Sequence, residues 1–433
     1  MVDASVPAQV ANRDSGVELW SHPSRDAEEQ RADSGIGGRE QRPREELRLR
    51  VVQGPDQEPV SLAMVQAVSQ NLHVSGETDE SGNVVLPWPT RERPFTLTVG
   101  APGFERISVL NVSEGAPQTV RIDSLSDRFP KGRLEGRIVG KAAPSNRVLL
   151  DVAGALSTDV TPNEWRATYR MNGQSFAAVA IEVSESGEVL NWTKAISSVL
   201  LDPSMDVVFP AQARTFRRAA VGIESAASGV FANLEDAFVD GRLMNSPEGG
   251  AQGSILTTGV VRSQRSARSA DLELWGIDDA LGPNWLALVV KSGDLVAQMR
   301  VPQPMKGSPR MTLPTVRSLR VFGASFQDLS VFADAEGFDA LELDIVDTTS
   351  GRVLWRVVTA PRAPLFIDAL PALFPGLVFE EMFAPDRALG AQVKLLRLNS
   401  GRTAWDSSER PWEDTLMSVE LSSPVRIDRE WHP

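Results

Sequence analysis

The chain has 433 residues, 42% apolar and 23% charged, and a net charge of −13 from 44 basic and 57 acidic side chains. That length suggests roughly two to four domains, and the acidic balance argues against nucleic-acid binding and offers no attraction to anionic lipid. With no cysteine and only His22, His73 and His432 far apart, there is no disulfide, no thiolate or histidine-rich metal site, and no cysteine nucleophile.

In chain order, residues 1–45 come first. They are polar and charged, and Ser24-Arg-Asp-Ala-Glu-Glu-Gln-Arg-Ala-Asp33 has no apolar face. Such a segment cannot bury enough surface to offset chain entropy, so it reads as a disordered tether. Its start lacks a charged region followed by an apolar run, and no stretch approaches the roughly 18 apolar residues of a membrane span. An exported protein whose signal, and with it a lipid anchor, has been removed would begin this way.

From Leu47 the period becomes two: Leu47, Leu49 and Val51 alternate with Arg48, Arg50 and Val52, as in a half-buried strand. Further strands are expected at Met64–Val68, Val84–Leu86, Phe95–Val99, Ile107–Val112 and Val120–Ile122. Between them lie turns at Gly54–Pro59, Glu77–Asn83 and Ala101–Phe104. Short strands with turns at this spacing predict a sandwich. Gly82 and Gly103 suit positive φ, and Asp79 suits capping its own turn.

The sequence Thr78-Asp79…Gly82, followed by Ala101-Pro-Gly103-Phe104 after a Phe95–Val99 strand, resembles the carboxypeptidase regulatory-like (transthyretin-like) β-sandwich family. The resemblance covers about residues 46–125. It departs from the family pattern at Leu62-Ala63-Met64, where the family commonly has a small-residue turn. These marks are turn chemistry, so the resemblance implies a fold and little about function.

The remaining chain also reads as β, with strands at Leu134–Ile138, Arg147–Val152, Phe176–Val183, Trp285–Val290, Leu341–Ile345, Val353–Val357 and Val393–Leu398. A strand, a glycine turn and a second strand recur around Gly187, Gly293 and Gly351, each followed by an apolar segment ending at Pro210, Pro314 or Pro371. The expected fold class is all-β: tandem immunoglobulin- or transthyretin-like sandwiches after the tether. The expected divisions are 46–128 (regulatory-like), 129–213, 214–316 and 317–433. Ser225–Phe238, with Val230, Leu234 and Phe238 at spacing four and Gly229 against it, is read as a short helix or a loop.

No Gly-x-Ser-x-Gly or His-Glu-x-x-His motif occurs. Gly136–Ala142 falls one residue short of a phosphate loop and lacks its Ser/Thr, so it reads as a strand ending in a turn. Glu380, Glu381 and Asp344 are candidate acid/base carboxylates, although surface solvation is the simpler reading. Asp79–Asn83 and Asp236…Asp240-Gly241 lack the spacing of a calcium loop. Arg262, Arg265 and Arg268 have no interleaved aromatics for base stacking. Trp192 and Trp355 lie inside strand patterns and read as core, whereas Trp88, Trp405 and Trp412 lie on loops and are the candidate ligand-binding residues. Asn111 and Asn191 begin glycosylation triplets.

No catalytic residue, metal or cofactor is expected. The sequence therefore points to a non-enzymatic extracytoplasmic structural or interaction protein, in the periplasm or on the cell surface. Its partner would be an envelope or surface protein. A carbohydrate-binding array holding glycans, or an accessory of a hydrolase complex, is the alternative.

Overall fold

The computed structural model describes residues 46–427, apart from 54–56, 70–71, 89–93, 113–118, 126–130, 153–154, 162, 171–175, 186–188, 198–203, 215, 246–254, 257–261, 278–283, 303–309, 324–328, 361–364, 367–387 and 399–414. The tether read from residues 1–45 lies outside the described residues. All regular elements described are strands, so the chain is all-β as its patterning requires.

The first segment holds β1 (Glu46–Gln53), β2 (Glu58–Pro59), β3 (Met64–Ser69), β4 (Leu72–Glu77), β5 (Asn83–Pro87), β6 (Phe95–Gly100), β7 (Arg106–Val112) and β8 (Thr119–Arg121). Alternation in β1 buries Leu47, Leu49 and Val51 and exposes Glu46, Arg48 and Arg50, because successive side chains on a strand point to opposite faces. One sheet runs β2-β1-β5, with β8 also on β1, while β4-β3-β6-β7 belong to another. Leu47, Leu49 and Val51 from the first meet Val65, Leu97, Val99 and Ile107 from the second in one core. The turns behave as their residues demand. Gly82 and Gly103 take φ of 75° and 76°, and a Cβ on Gly82 would sit 2.4 Å from the Val51 carbonyl oxygen. Asp79 accepts the Ser81 and Asn83 backbone N–H groups at 2.8 and 2.9 Å. Leu62 itself adopts the left-handed region at φ 57°.

The second segment holds β9 (Lys131–Val139), β10 (Arg147–Val152), β11 (Ala155–Val160), β12 (Glu164–Arg170), β13 (Phe176–Val183), β14 (Val189–Ser197) and β15 (Val207–Val208). Its sheets, β10-β13-β14 and β11-β12-β9-β15, share a core of Leu134, Trp165, Ala178, Ala180 and Phe209. The buried Trp165 donates its ring N–H to the Met205 carbonyl at 3.1 Å.

The third segment holds β16 (Phe216–Glu224), β17 (Phe238–Asn245), β18 (Ile255–Leu256), β19 (Arg262–Arg265), β20 (Ser269–Ile277), β21 (Asn284–Ser292), β22 (Leu295–Pro302) and β23 (Arg310–Thr312). The fourth holds β24 (Val316–Phe322), β25 (Ser330–Ala335), β26 (Ala340–Asp347), β27 (Arg352–Thr359), β28 (Leu365–Phe366), β29 (Leu389–Leu398), β30 (Thr415–Leu421) and β31 (Val425–Ile427). No helix forms at Ser225–Phe238. Gly229 has φ 90°, and a Cβ there would meet the Val316 carbonyl oxygen at 2.2 Å, so a close crossing of backbones replaces the helical turn. Phe231 and Leu234 are buried in that crossing, while Phe238 is exposed.

Two regularities organise the strands. The first three segments each end in a short strand that pairs in parallel with that segment's own first strand: β8 on β1, β15 on β9 and β23 on β16. The second regularity is continuity. A thirteen-stranded sheet runs β18-β17-β21-β22-β30-β29-β26-β27-β7-β6-β3-β4, with β31 attached to β29. It joins the third segment to the fourth through β22 and β30, and the fourth to the first through β27 and β7.

The cores lie on different faces of this sheet. Leu343 and Val357 face one side with Leu288, Ala297 and Val419, in a core that the third and fourth segments share. At the β7–β27 step Ile107 is paired with Arg356 and Ser108 with Val357. Paired residues on adjacent strands point the same way. The first segment's core, which contains Ile107, therefore lies on the Arg356 face, opposite the shared core.

Candidate interaction site

The face carrying Arg356 is built by alternation. In β26, Leu341, Leu343 and Ile345 enter the shared core, which turns Glu342 and Asp344 to the other side. In β29 the same rule turns Gln392 and Lys394 outward between Ala391, Val393 and Leu395. Arg356 reaches Asp344 at 3.0 Å and Glu342 at 3.5 Å, and Lys394 reaches the same two carboxylates at 2.7 and 3.0 Å. The row continues at Glu420 on β30, which accepts from Gln298 of β22 at 2.8 Å and from Gln392 at 3.3 Å.

The centre of this row is far from solvated: Asp344 is 1% exposed and Glu342 3%. Burial pushes its carboxyl up, but Arg356 and Lys394 overcome that and hold it below the usual range. Burial also acts on Lys394, yet the paired carboxylates raise its ammonium well above its ordinary value. Glu420 is raised, chiefly by burial. Asp344, considered above as a surface acid/base candidate, is thus a buried ion-pair partner. Its oxygens are committed to two cations, so it is poorly placed to exchange a proton. Glu380 and Glu381 lie outside the described residues.

A second feature is the outer edge of the long sheet. β4 pairs with β3 on one side and has no strand partner on the other among the described residues. Its Leu72-x-Val74-x-Gly76 face points to the first core: Val74 packs on it, and a Cβ on Gly76 would meet Leu86 at 2.8 Å. Leu72, at the open end, is nevertheless 54% exposed. Edge strands are normally blunted by charge, proline or shortness. The other outer strands conform: β19 has Arg262 and Arg265, β24 has Arg317 and Arg320, β11 has Asp159, β5 ends in Pro87 and β18 has two residues. β4 contains no Lys, Arg or Pro, and its one acid, Glu77, lies at the turn end.

Of the tryptophans singled out from sequence, the described ones, Trp88, Trp192 and Trp355, lie in different segments. Trp88 follows β5, half-buried against the first core, with its ring edge-on to Phe95 at 5.4 Å and 88°. Trp405 and Trp412 lie outside the described residues. Trp192 and Trp355 are buried in strands. Asn191 is buried as well: it donates to the Pro210 carbonyl at 2.9 Å and accepts the Trp192 and Arg214 N–H groups, so it is unavailable to a glycan. Arg214 stacks on the Trp192 ring, 4.6 Å from its centre. Lys141, in the shortened loop, donates to the Pro144 and Asn146 carbonyls. Arg265 donates to the Ala237 carbonyl at 2.5 Å. The charged row and the β4 edge escaped sequence reading. A signal for the edge was present in the uncharged Leu72–Gly76 run.

Among the described residues no group of three or more acidic or histidine side chains could hold a metal ion, and no helix is long and apolar enough to cross a membrane. No family model matches the chain, and no curated protein matches it. Among solved structures, a crystal structure of domains from titin aligns with 62% of this chain and 93% of its own, at 8% identity and a TM-score of 0.10, too low to bear on the fold.

Proposed function

We propose that this chain is a non-enzymatic, extracytoplasmic structural or interaction protein. In this reading it is a tandem array of β-sandwiches, the first of the carboxypeptidase regulatory-like kind, fused into one platform. The observation that carries the proposal is the sheet that passes without a break through three segments. Sandwiches strung on linkers move independently by default. Units that share hydrogen-bonded ladders are held in fixed relation, which suits a spacer or scaffold. Along its twelve-strand path, at about 4.8 Å per strand, the ladder extends roughly 50 Å. The recurring first-to-last parallel pairing supports reading the segments as repeated units.

The contact point of such a platform would be the β4 edge. A partner that adds an extended strand there would gain main-chain hydrogen bonds and bring an apolar side chain onto Leu72, as in strand addition to other open sheet edges. Envelope-protein capture on the immobilised chain tests this against Leu72→Lys, which places a charge on the exposed edge. The variant is expected to change stability by no more than about 0.5 kcal/mol and to lose the captured protein. Capture unaffected by Leu72→Lys would remove the edge from the proposal. Retention on a glycan array that is lost in Trp88→Ala would replace it with the carbohydrate-binding alternative.

A further inference from the structure

Glu105 stands just before β7 on the face shared by Ile107 and Val109, and is 4% exposed. Its Oε1 accepts the Asp123 backbone N–H at 3.1 Å. The charged groups that face it are Arg356 of β27, Asp344 of β26 and Asp123 beyond β8. Arg356 is already engaged by Asp344 and Glu342, and Lys394 holds those two from the far side. Three buried carboxylates therefore share two cations. Asp123, paired at 3.1 Å with Arg121, adds further negative charge. A single proton on Glu105 balances the set.

We propose that the β7–β27 seam is a proton-operated joint, held closed while Glu105 carries a proton and loosened when that proton leaves. Closing the seam takes Glu105 out of water beside two other carboxylates, so the neutral form belongs to the closed state. Burial is the largest influence and raises Glu105, Arg356 pulls against it, and Asp123 and Asp344 add to it; the balance leaves the carboxyl at about 7. In an opened, hydrated seam the carboxyl returns toward its ordinary 4.5. Below that value both states hold the proton. Between the two values the closed state alone holds it, so closure weakens as pH rises through this window. Asp344 lies below the window, and Arg356 and Lys394 lie above it.

The test is hydrogen exchange on the full chain at about pH 5 and about pH 8, corrected for intrinsic exchange. Protection at residues 106–112 and 355–359 is compared with that of β12, which lies in a separate core. Seam protection is expected to fall on the order of fifty- to a hundredfold across that range while β12 does not follow. Glu105→Gln is expected to keep the acid-side protection at both pH values. Equal wild-type seam protection at the two pH values, or a Glu105→Gln variant with the wild-type slope, overturns the proposal. Should Glu105→Gln not fold, Asp123→Asn at its half-exposed position decides. It removes a facing negative charge and must move the midpoint to lower pH, and an unmoved midpoint overturns the joint.

Discussion

The long sheet crosses between segments twice, and the two crossings are built differently. At β22–β30, Ala297 pairs with Val419 and Met299 with Met417, and all four lie in the shared core. At β7–β27 only Trp355–Val358 and Arg106–Val109 pair, and the core changes face as the sheet passes through. The first crossing is backed on its core face by apolar burial, which makes the third and fourth segments one packed body, while on the other face Glu420 accepts from Gln298 across it. The second is backed by a tryptophan–serine hydrogen bond on one face and by buried charges on the other. The same ladder geometry thus yields a weld in one place and an adjustable joint in the other. What differs is the chemistry of the side chains above and below the strands.

The largest way to break this contrast is Arg356→Ala. It strands Asp344 and Glu342 with one cation and removes the cation that faces Glu105. Breaking a buried pair from one side costs about 3–5 kcal/mol, read as a lower urea midpoint with seam exchange raised first. Next is the pH dependence itself. A native value near 7 against 4.5 in water corresponds to roughly 3 kcal/mol of stability lost as pH rises between them, visible in wild-type urea midpoints and absent in Glu105→Gln. At the weld, Val419→Ala removes two methyl groups from a fully buried site, at about 2–3 kcal/mol including the cavity. Its cost should be the same at pH 5 and pH 8 by the same measurement, because the described side chains that pack around it in the shared core are apolar. A pH-dependent cost would couple the apolar core of the weld to a titrating group and erase the distinction.

The parts of this architecture legible in sequence are the local ones. Leu47, Leu49 and Val51 announce β1, and Asp79, Gly82 and Gly103 announce their turns, because each is settled within a few residues. The hairpins at Gly293 and Gly351 are likewise local. Strand partnership is not, because Arg106–Val109 carries no mark that Trp355–Val358 lies beside it. Trp355 reads correctly as core, yet its N–H partner is Ser108, 247 residues away. Asp344 reads as a solvated acid because alternation within β26 shows only that it leaves the Leu343 face. Its burial depends on cations from β27 and β29. Val230, Leu234 and Phe238 imitate a helical period, and the backbone crossing at Gly229 overrides it.

The smallest expected effect sharpens the contrast by separating the two faces of the joint. The Trp355 ring N–H donates to Ser108 Oγ at 3.0 Å, and Ser108 in turn bonds Thr98 Oγ1 at 2.7 Å, all on the face opposite Glu105. Ser108→Ala leaves a buried N–H without its acceptor, which costs about 1–2 kcal/mol. Adding Trp355→Phe removes the stranded donor as well. Because unmatched polar groups cost more than absent ones, the double variant should recover part of the loss despite the smaller ring. Neither change touches the carboxylates, so seam protection should drop by a similar factor at pH 5 and pH 8, leaving the slope intact. A flattened slope in Ser108→Ala would mean that the two faces respond as one unit, and proton control would then belong to the whole seam rather than to Glu105 and the charges around it.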